Sequence, residues 1–126
     1  MNKLSENNNI PFSQMKSISR NDFIGHNNSF IYILTSNKYE PENIYKIGYS
    51  YDVTKRVKEI NYTVNDIDDK FFCVFYLYFP NSLIKRVERT IHKIFASNLH
   101  EWELFKGDLK EFIHVICCLH DFIYLS

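Results

Sequence analysis

The stretch Phe71 to Phe79 reads FFCVFYLYF, nine consecutive residues without a charge or a turn former. That run limits what the chain can become. A membrane-crossing helix needs roughly 20 such residues, so the run is too short to span a bilayer. It is rich in aromatic residues, which favours a strand over a helix turn. Both of its alternations are apolar. A strand covered by protein on both faces has that pattern, whereas a half-solvated one alternates. The run therefore predicts a strand in the middle of a sheet, with helices packed on it.

The flanking sequence supplies those layers. Phe30 to Thr35 and Ile44 to Ile47 read as two shorter strands joined by a loop over Ser36 to Asn43, the second stopped by Gly48. Asp52 is placed to cap a helix over Val53 to Asn61, with Val53, Val57 and Ile60 on one face and Arg56 on its flank. Asn65 to Lys70 form an acidic turn. After the long run, Asn81 or Ser82 caps a helix over Leu83 to Ser97. Leu83, Ile84, Val87, Ile91, Ile94 and Phe95 share its apolar stripe, Glu88 lies at the stripe's edge, and His92 lies one turn beyond Glu88. A short extended piece, Trp102 to Phe105, precedes a last helix capped by Asp108, with Leu109, Phe112, Ile113 and Ile116 facing inward. The order β-β-α-β-α-(β)-α places the chain in the α+β class, with a three-stranded, mainly antiparallel sheet flanked by helices. At 126 residues the chain is one domain. Residues 1–28 are polar, rich in Asn and Ser, and read as a flexible extension with a short helix near Ser17 to Phe23; residues 29–126 form the domain.

Composition removes several classes. Lys and Arg total 15, as do Asp and Glu, for a net charge of +0. A polyanion partner must then be recognised locally and not by overall charge. Three cysteines, Cys73, Cys117 and Cys118, are odd in number and form no CxxC pair, so free thiols are expected. No signal-like apolar segment opens the chain. Together these predict an intracellular protein, cytoplasmic or nuclear, with no membrane association, in which the Asn61-Tyr62-Thr63 sequon has no role.

The sequence has no Gly-rich phosphate loop, GxSxG elbow, HExxH or zinc-ribbon spacing. What remains is a set of polar groups at the edges of apolar faces: Tyr32 and Tyr45 in the paired strands, Gly48 at a strand end, Arg56 beside a buried helix face, and Glu88 and His92 on the next helix. Lys85, Arg86, Arg89 and Lys93 crowd the exposed side of that helix, and Lys55 and Lys58 lie on the earlier one. Such cations can take phosphate contacts and give salt-dependent affinity. The acidic residues Asp66, Asp68, Asp69, Glu101, Glu103, Asp108 and Glu111 repel a long duplex, so a local footprint is expected. His114, Cys117, Cys118 and His120 share the last helix, where the tetrahedral spacings of structural zinc are absent; small core thiols are expected there.

Phe30-Ile31-Tyr32, then Tyr45-Lys46-Ile47-Gly48, then Ser50-Tyr51-Asp52 with Arg56 four residues on, and later Glu88, His92 and Glu101-Trp102, follow in an order that resembles the GIY-YIG endonuclease superfamily, in the YKIG-type branch of phages and large DNA viruses. The resemblance covers about residues 29 to 118. It departs at Phe30, where the family has its first Gly, and at Ile60, where many members carry His or Tyr. It implies phosphodiester hydrolysis with one Mg²⁺ or Mn²⁺ per site. Tyr32 would be the general base, Tyr45 and His92 supporting catalytic groups, Arg56 a transition-state cation and Glu88 the metal ligand. Lys46, Gly48, Lys85 and Arg89 would contact a nucleic-acid substrate, most readily DNA. Two alternatives stay open: a binding module without cleavage, and a protein-interaction domain using Tyr39, Tyr49, Tyr51 and Tyr62.

Overall fold

The computed structural model describes residues 28–125. The extension predicted over residues 1–28 falls outside them apart from Asn28, which opens the first strand. Eight principal elements follow: β1 (Asn28–Thr35), β2 (Ile44–Ser50), α1 (Val53–Asn61), β3 (Phe72–Pro80), α2 (Ile84–Ile94), β4 (Leu99–Glu101), β5 (Leu104–Lys106) and α3 (Leu109–Leu125). The class is α+β, as expected, but the sheet has five strands in the order β3-β1-β2-β5-β4, and every pairing is antiparallel. The three-strand count left out the β4–β5 hairpin, of which only an extended piece over Trp102 to Phe105 was expected, because its arms are three residues each, too short to show an alternation.

The long apolar run is β3, and it lies at the sheet's edge. Its pattern reports coverage of its two faces and carries no information about how many strands flank it. On one face Phe75, Leu77 and Phe79 join the main core with Ile31, Ile33, Ile47 and the apolar sides of α2 and α3. On the other, Tyr76 packs with Phe30, Tyr32, Leu34 and Val53 under α1. The sheet is thus the middle layer of three.

Helix α1 has the predicted bounds because its start is specified locally: Asp52 Oδ1 accepts from the Lys55 backbone N–H at 3.1 Å. The predicted cap of α2 fails. Leu83 occupies the cap position with no side-chain hydrogen bond, since Asn81 instead accepts from the Ser29 hydroxyl across the sheet end. Helix α2 ends at Ile94, which is 49% exposed and off the buried stripe, and a 3₁₀ turn over Ala96–Asn98 follows. At α3 the Asp108 carboxylate accepts from the Lys110 N–H at 3.0 Å, as its capping role requires.

The sequon residue Asn61 has a structural task. Its amide donates to the Phe71 carbonyl and accepts from the Phe71 N–H, both at 2.8 Å, so it clamps the end of α1 to the entry of β3. Asn61→Ala orphans both backbone groups and is expected to cost about 1–3 kcal/mol, measured as a lower urea midpoint at unchanged m-value.

The three cysteines are free, as expected. Burial pushes the thiols of Cys73 and Cys117 up, to about 12 and about 11. His114 Nε2 lies 3.6 Å from Cys118 Sγ, while Cys117 and His120 point into the protein. Among the described residues no group of three or more His, Cys, Asp or Glu converges on a metal position. His120 is enclosed by Tyr78, Phe79 and Tyr124, with ring centroids 5.0, 5.3 and 4.4 Å away, and its Nε2 has no hydrogen-bond partner. Burial lowers its pKa against the opposing pull of Asp121. The fold therefore prefers the neutral ring. The stability this allows is full above the unfolded value of about 6.5 and falls as acidification drives a proton onto the unfolded chain. The urea midpoint is expected to be lower at about pH 5 than at about pH 7.5, and His120→Phe to flatten that slope.

Among the described residues no helix is long and apolar enough to cross a membrane.

Candidate functional site

Antiparallel register decides which predicted residues meet. Tyr32 lies opposite Gly48 in the β1–β2 ladder. A Cβ built on Gly48 would fall 2.6 Å from the Tyr32 hydroxyl and 2.8 Å from its ring carbon Cζ. Gly48 therefore does not stop β2, which continues to Ser50; it makes room for the phenol lying across it. Tyr32 is 1% exposed, and its hydroxyl accepts a hydrogen bond from Arg56 of α1.

These groups form part of the wall of a cavity of about 440 Å³ at the end of the sheet, together with Tyr51, Glu59, Glu88 and Glu103. The layers contribute separately: Arg56 comes from α1, Glu88 from α2 on the opposite face, and Glu103 from the β4–β5 turn. A neighbouring hollow of about 410 Å³ shares Tyr49 and Glu88 with the first and is lined by Lys85, Arg89, His92 and Lys93. The two make one groove, acidic and aromatic at one end and basic at the other, with Glu88 at the junction. Arg86 faces away, toward α3.

The electrostatics are specific. Burial raises the Glu88 carboxyl; His92, Lys46 and Arg89 pull it down, while Glu103 pushes it up. Lys46 Nζ pairs with Glu103 Oε1 at 2.9 Å. Arg56 also lies 3.6 Å from Glu59. His92 Nε2 donates to the Ile47 carbonyl at 2.9 Å and its ring rests on Phe105, centroids 4.9 Å apart. Burial raises the Tyr32 phenol, and the neighbouring Arg56 does not reverse that. Tyr32 is therefore protonated near neutrality in the unliganded groove, where its O–H can donate a hydrogen bond.

Tyr45 does not reach the groove. It faces the main core, where its ring meets Phe112 edge-on with centroids 6.1 Å apart, and burial raises its phenol, with Glu40 and Asp108 nearby. Strand alternation explains the miss: residues 45 and 32 fall on opposite faces in this register, and Lys46 takes the position beside Tyr32. Of the tyrosines proposed as a protein-binding surface, Tyr51 and Tyr62 are exposed, while Tyr39 and Tyr49 are half-buried. Glu103 was missed. In the sequence it was one more acidic residue, and its partner Lys46 is 57 positions away.

The architecture is thus a three-layer α+β domain with one polar groove at a sheet end. Residues 29–120 match the T5orf172 domain, and the chain belongs to that family. It is 31% identical over 98 residues to the KilA-N domain-containing protein 315L of Invertebrate iridescent virus 6, an alignment that covers 75% of this chain and 41% of the viral protein. The chain thus spans less than half of that relative's length. No solved structure gives a significant match. The family match overturns the GIY-YIG assignment, which rested on tri- and tetrapeptides. One of its elements, the second tyrosine, points away from the groove.

Proposed function

We propose that this T5orf172 domain binds nucleic acid, DNA foremost, along the basic end of the groove and hydrolyses a phosphodiester at its acidic end with one divalent cation. The T5orf172 family and the KilA-N-named viral relative support a DNA-binding or nuclease-like module. The observation that carries the finer reading is the convergence of Tyr32, Arg56 and Glu88, from three layers, on one cavity beside Lys85, Arg89 and Lys93.

The residues fit an open Mg²⁺ or Mn²⁺ site. Mg²⁺ is commonly held by one or two carboxylates, with waters and substrate phosphate completing its shell. Glu88 supplies one such carboxylate, and Glu103 a second that lines the same cavity. When bound, the cation polarises a phosphoryl oxygen and eases charge development on the leaving group. Lys85, Arg89 and Lys93 hold the strand by its phosphates. Arg56 offers five donors, more than Tyr32 and Glu59 require, and can face a non-bridging oxygen. The Tyr32 hydroxyl accepts from Arg56 and keeps its own proton for a second anionic oxygen. His92 Nδ1 can accept a proton from water in the groove. The Lys46–Glu103 pair fixes the hairpin against β2.

A second reading, binding without cleavage, rests on the basic end of the groove alone, where Lys85, Arg89 and Lys93 line one hollow. Supercoiled plasmid with Mg²⁺ or Mn²⁺ separates the two. Hydrolysis gives nicked circles; binding alone gives a gel shift that weakens steeply with salt. Neither nicking nor shift removes the proposal altogether.

A further inference from the structure

The β4–β5 connection is a two-residue turn: Glu101 pairs with Leu104, leaving Trp102 and Glu103 between the arms. Trp102 takes φ 54°. The first central position of a tight hairpin turn with positive φ is one where glycine is preferred, because a side chain there strains the backbone. The chain instead places its single tryptophan there, 85% exposed. An indole on water in a strained conformation gains nothing from burial. The neighbouring turn residue, Glu103, is anchored in the groove by Lys46 at 2.9 Å. Trp102 is therefore held one residue from the cavity wall on a fixed hairpin. Tyr51, 56% exposed, lines the same cavity.

We propose that Trp102 is a stacking platform for an unpaired base, which makes single-stranded nucleic acid the preferred substrate class of the groove. Aromatic side chains beside a phosphate-tracking basic groove are how single strands are held without sequence readout, whereas bases inside a duplex are already stacked on one another. Tyr51 offers a second exposed ring on the cavity wall. This inference rests on the nucleic-acid reading above and narrows it.

The test uses the whole chain and two variants, W102G and W102F, with oligonucleotides of equal length: single-stranded DNA, single-stranded RNA and duplex DNA. The lone tryptophan reports directly. Its fluorescence is expected to be quenched by the single strands and little changed by the duplex. W102G is expected to bind single strands about ten- to a hundredfold more weakly, the range for one base stacked on an aromatic side chain, with duplex affinity unchanged and W102F intermediate. W102G is also expected to melt at the same temperature as the parent or higher, because glycine relieves the positive φ. A purely structural tryptophan predicts the opposite: a lower melting temperature with single-strand affinity unmoved. Equal quenching by duplex and single strand, or unchanged single-strand affinity in W102G, overturns the inference while leaving groove binding in place. Failure of every oligonucleotide to bind at low salt overturns the functional reading itself. Quenching by RNA alone or DNA alone upholds the platform and assigns the sugar.

Discussion

Glu88→Gln is expected to lower divalent-cation-dependent nicking by at least about a hundredfold, since Lewis-acid stabilisation of a phosphoryl transition state is worth several kcal/mol. Gln keeps the size and loses the charge, so cavity shape is preserved. Stability is expected to hold or rise. Burial raises the Glu88 carboxyl, so the fold disfavours its charged form, and that cost grows as pH rises from the unfolded value of about 4.3 through the folded one. Gln does not carry it. Loss of nicking with an equal or higher melting temperature is therefore the signature of a site residue. Divalent-cation affinity should itself increase with pH as Glu88 deprotonates. A Glu88→Gln protein that nicks like the parent sinks the assignment of the ligand, and with it the hydrolytic reading.

Gly48→Ala is expected to be the most damaging single methyl in the domain. The added Cβ meets Tyr32 at 2.6 and 2.8 Å, and Tyr32 is 1% exposed between two layers. Overpacking of this kind costs about 1–3 kcal/mol. It also pushes the hydroxyl off Arg56, so nicking and stability fall together, unlike in Glu88→Gln. Pairing the change with Tyr32→Phe tests the mechanism. Removing the hydroxyl deletes the 2.6 Å contact but leaves the 2.8 Å one, so a double-mutant cycle should show partial relief. Full additivity would mean that the strain of Gly48→Ala lies elsewhere.

Local chemistry was legible in the chain; pairings over distance were not. Asp52 specifies where α1 begins through a contact three residues away, and the expected bounds of that helix agree with the structure. The β3 run announced that both its faces are covered, yet its edge position depends on which strands β1 adopts as neighbours, and the run itself does not encode that. Gly48 read as a stop because only the ladder reveals the ring opposite it. The groove was half visible: Tyr32, Arg56, Glu88, His92 and the basic face of α2 were named from their positions on apolar edges. Tyr45 was placed wrongly because a one-residue shift in alternation moves a side chain to the other face. Trp102 and Glu103 were read as extended chain, because a two-residue turn carries no periodic signal. The GIY-YIG resemblance, built on short peptides, gave way to a family match spanning residues 29–120.

The groove's members arrive late and from far apart along the chain. Tyr32 is laid down early, Arg56 and Glu88 follow on helices of different layers, and Glu103 comes only with the last hairpin, shortly before α3 closes the core. No fragment that stops short of that hairpin holds the complete constellation. During synthesis the groove is therefore incomplete until the last hairpin has emerged, so any function that rests on it coincides with near-completion of the domain.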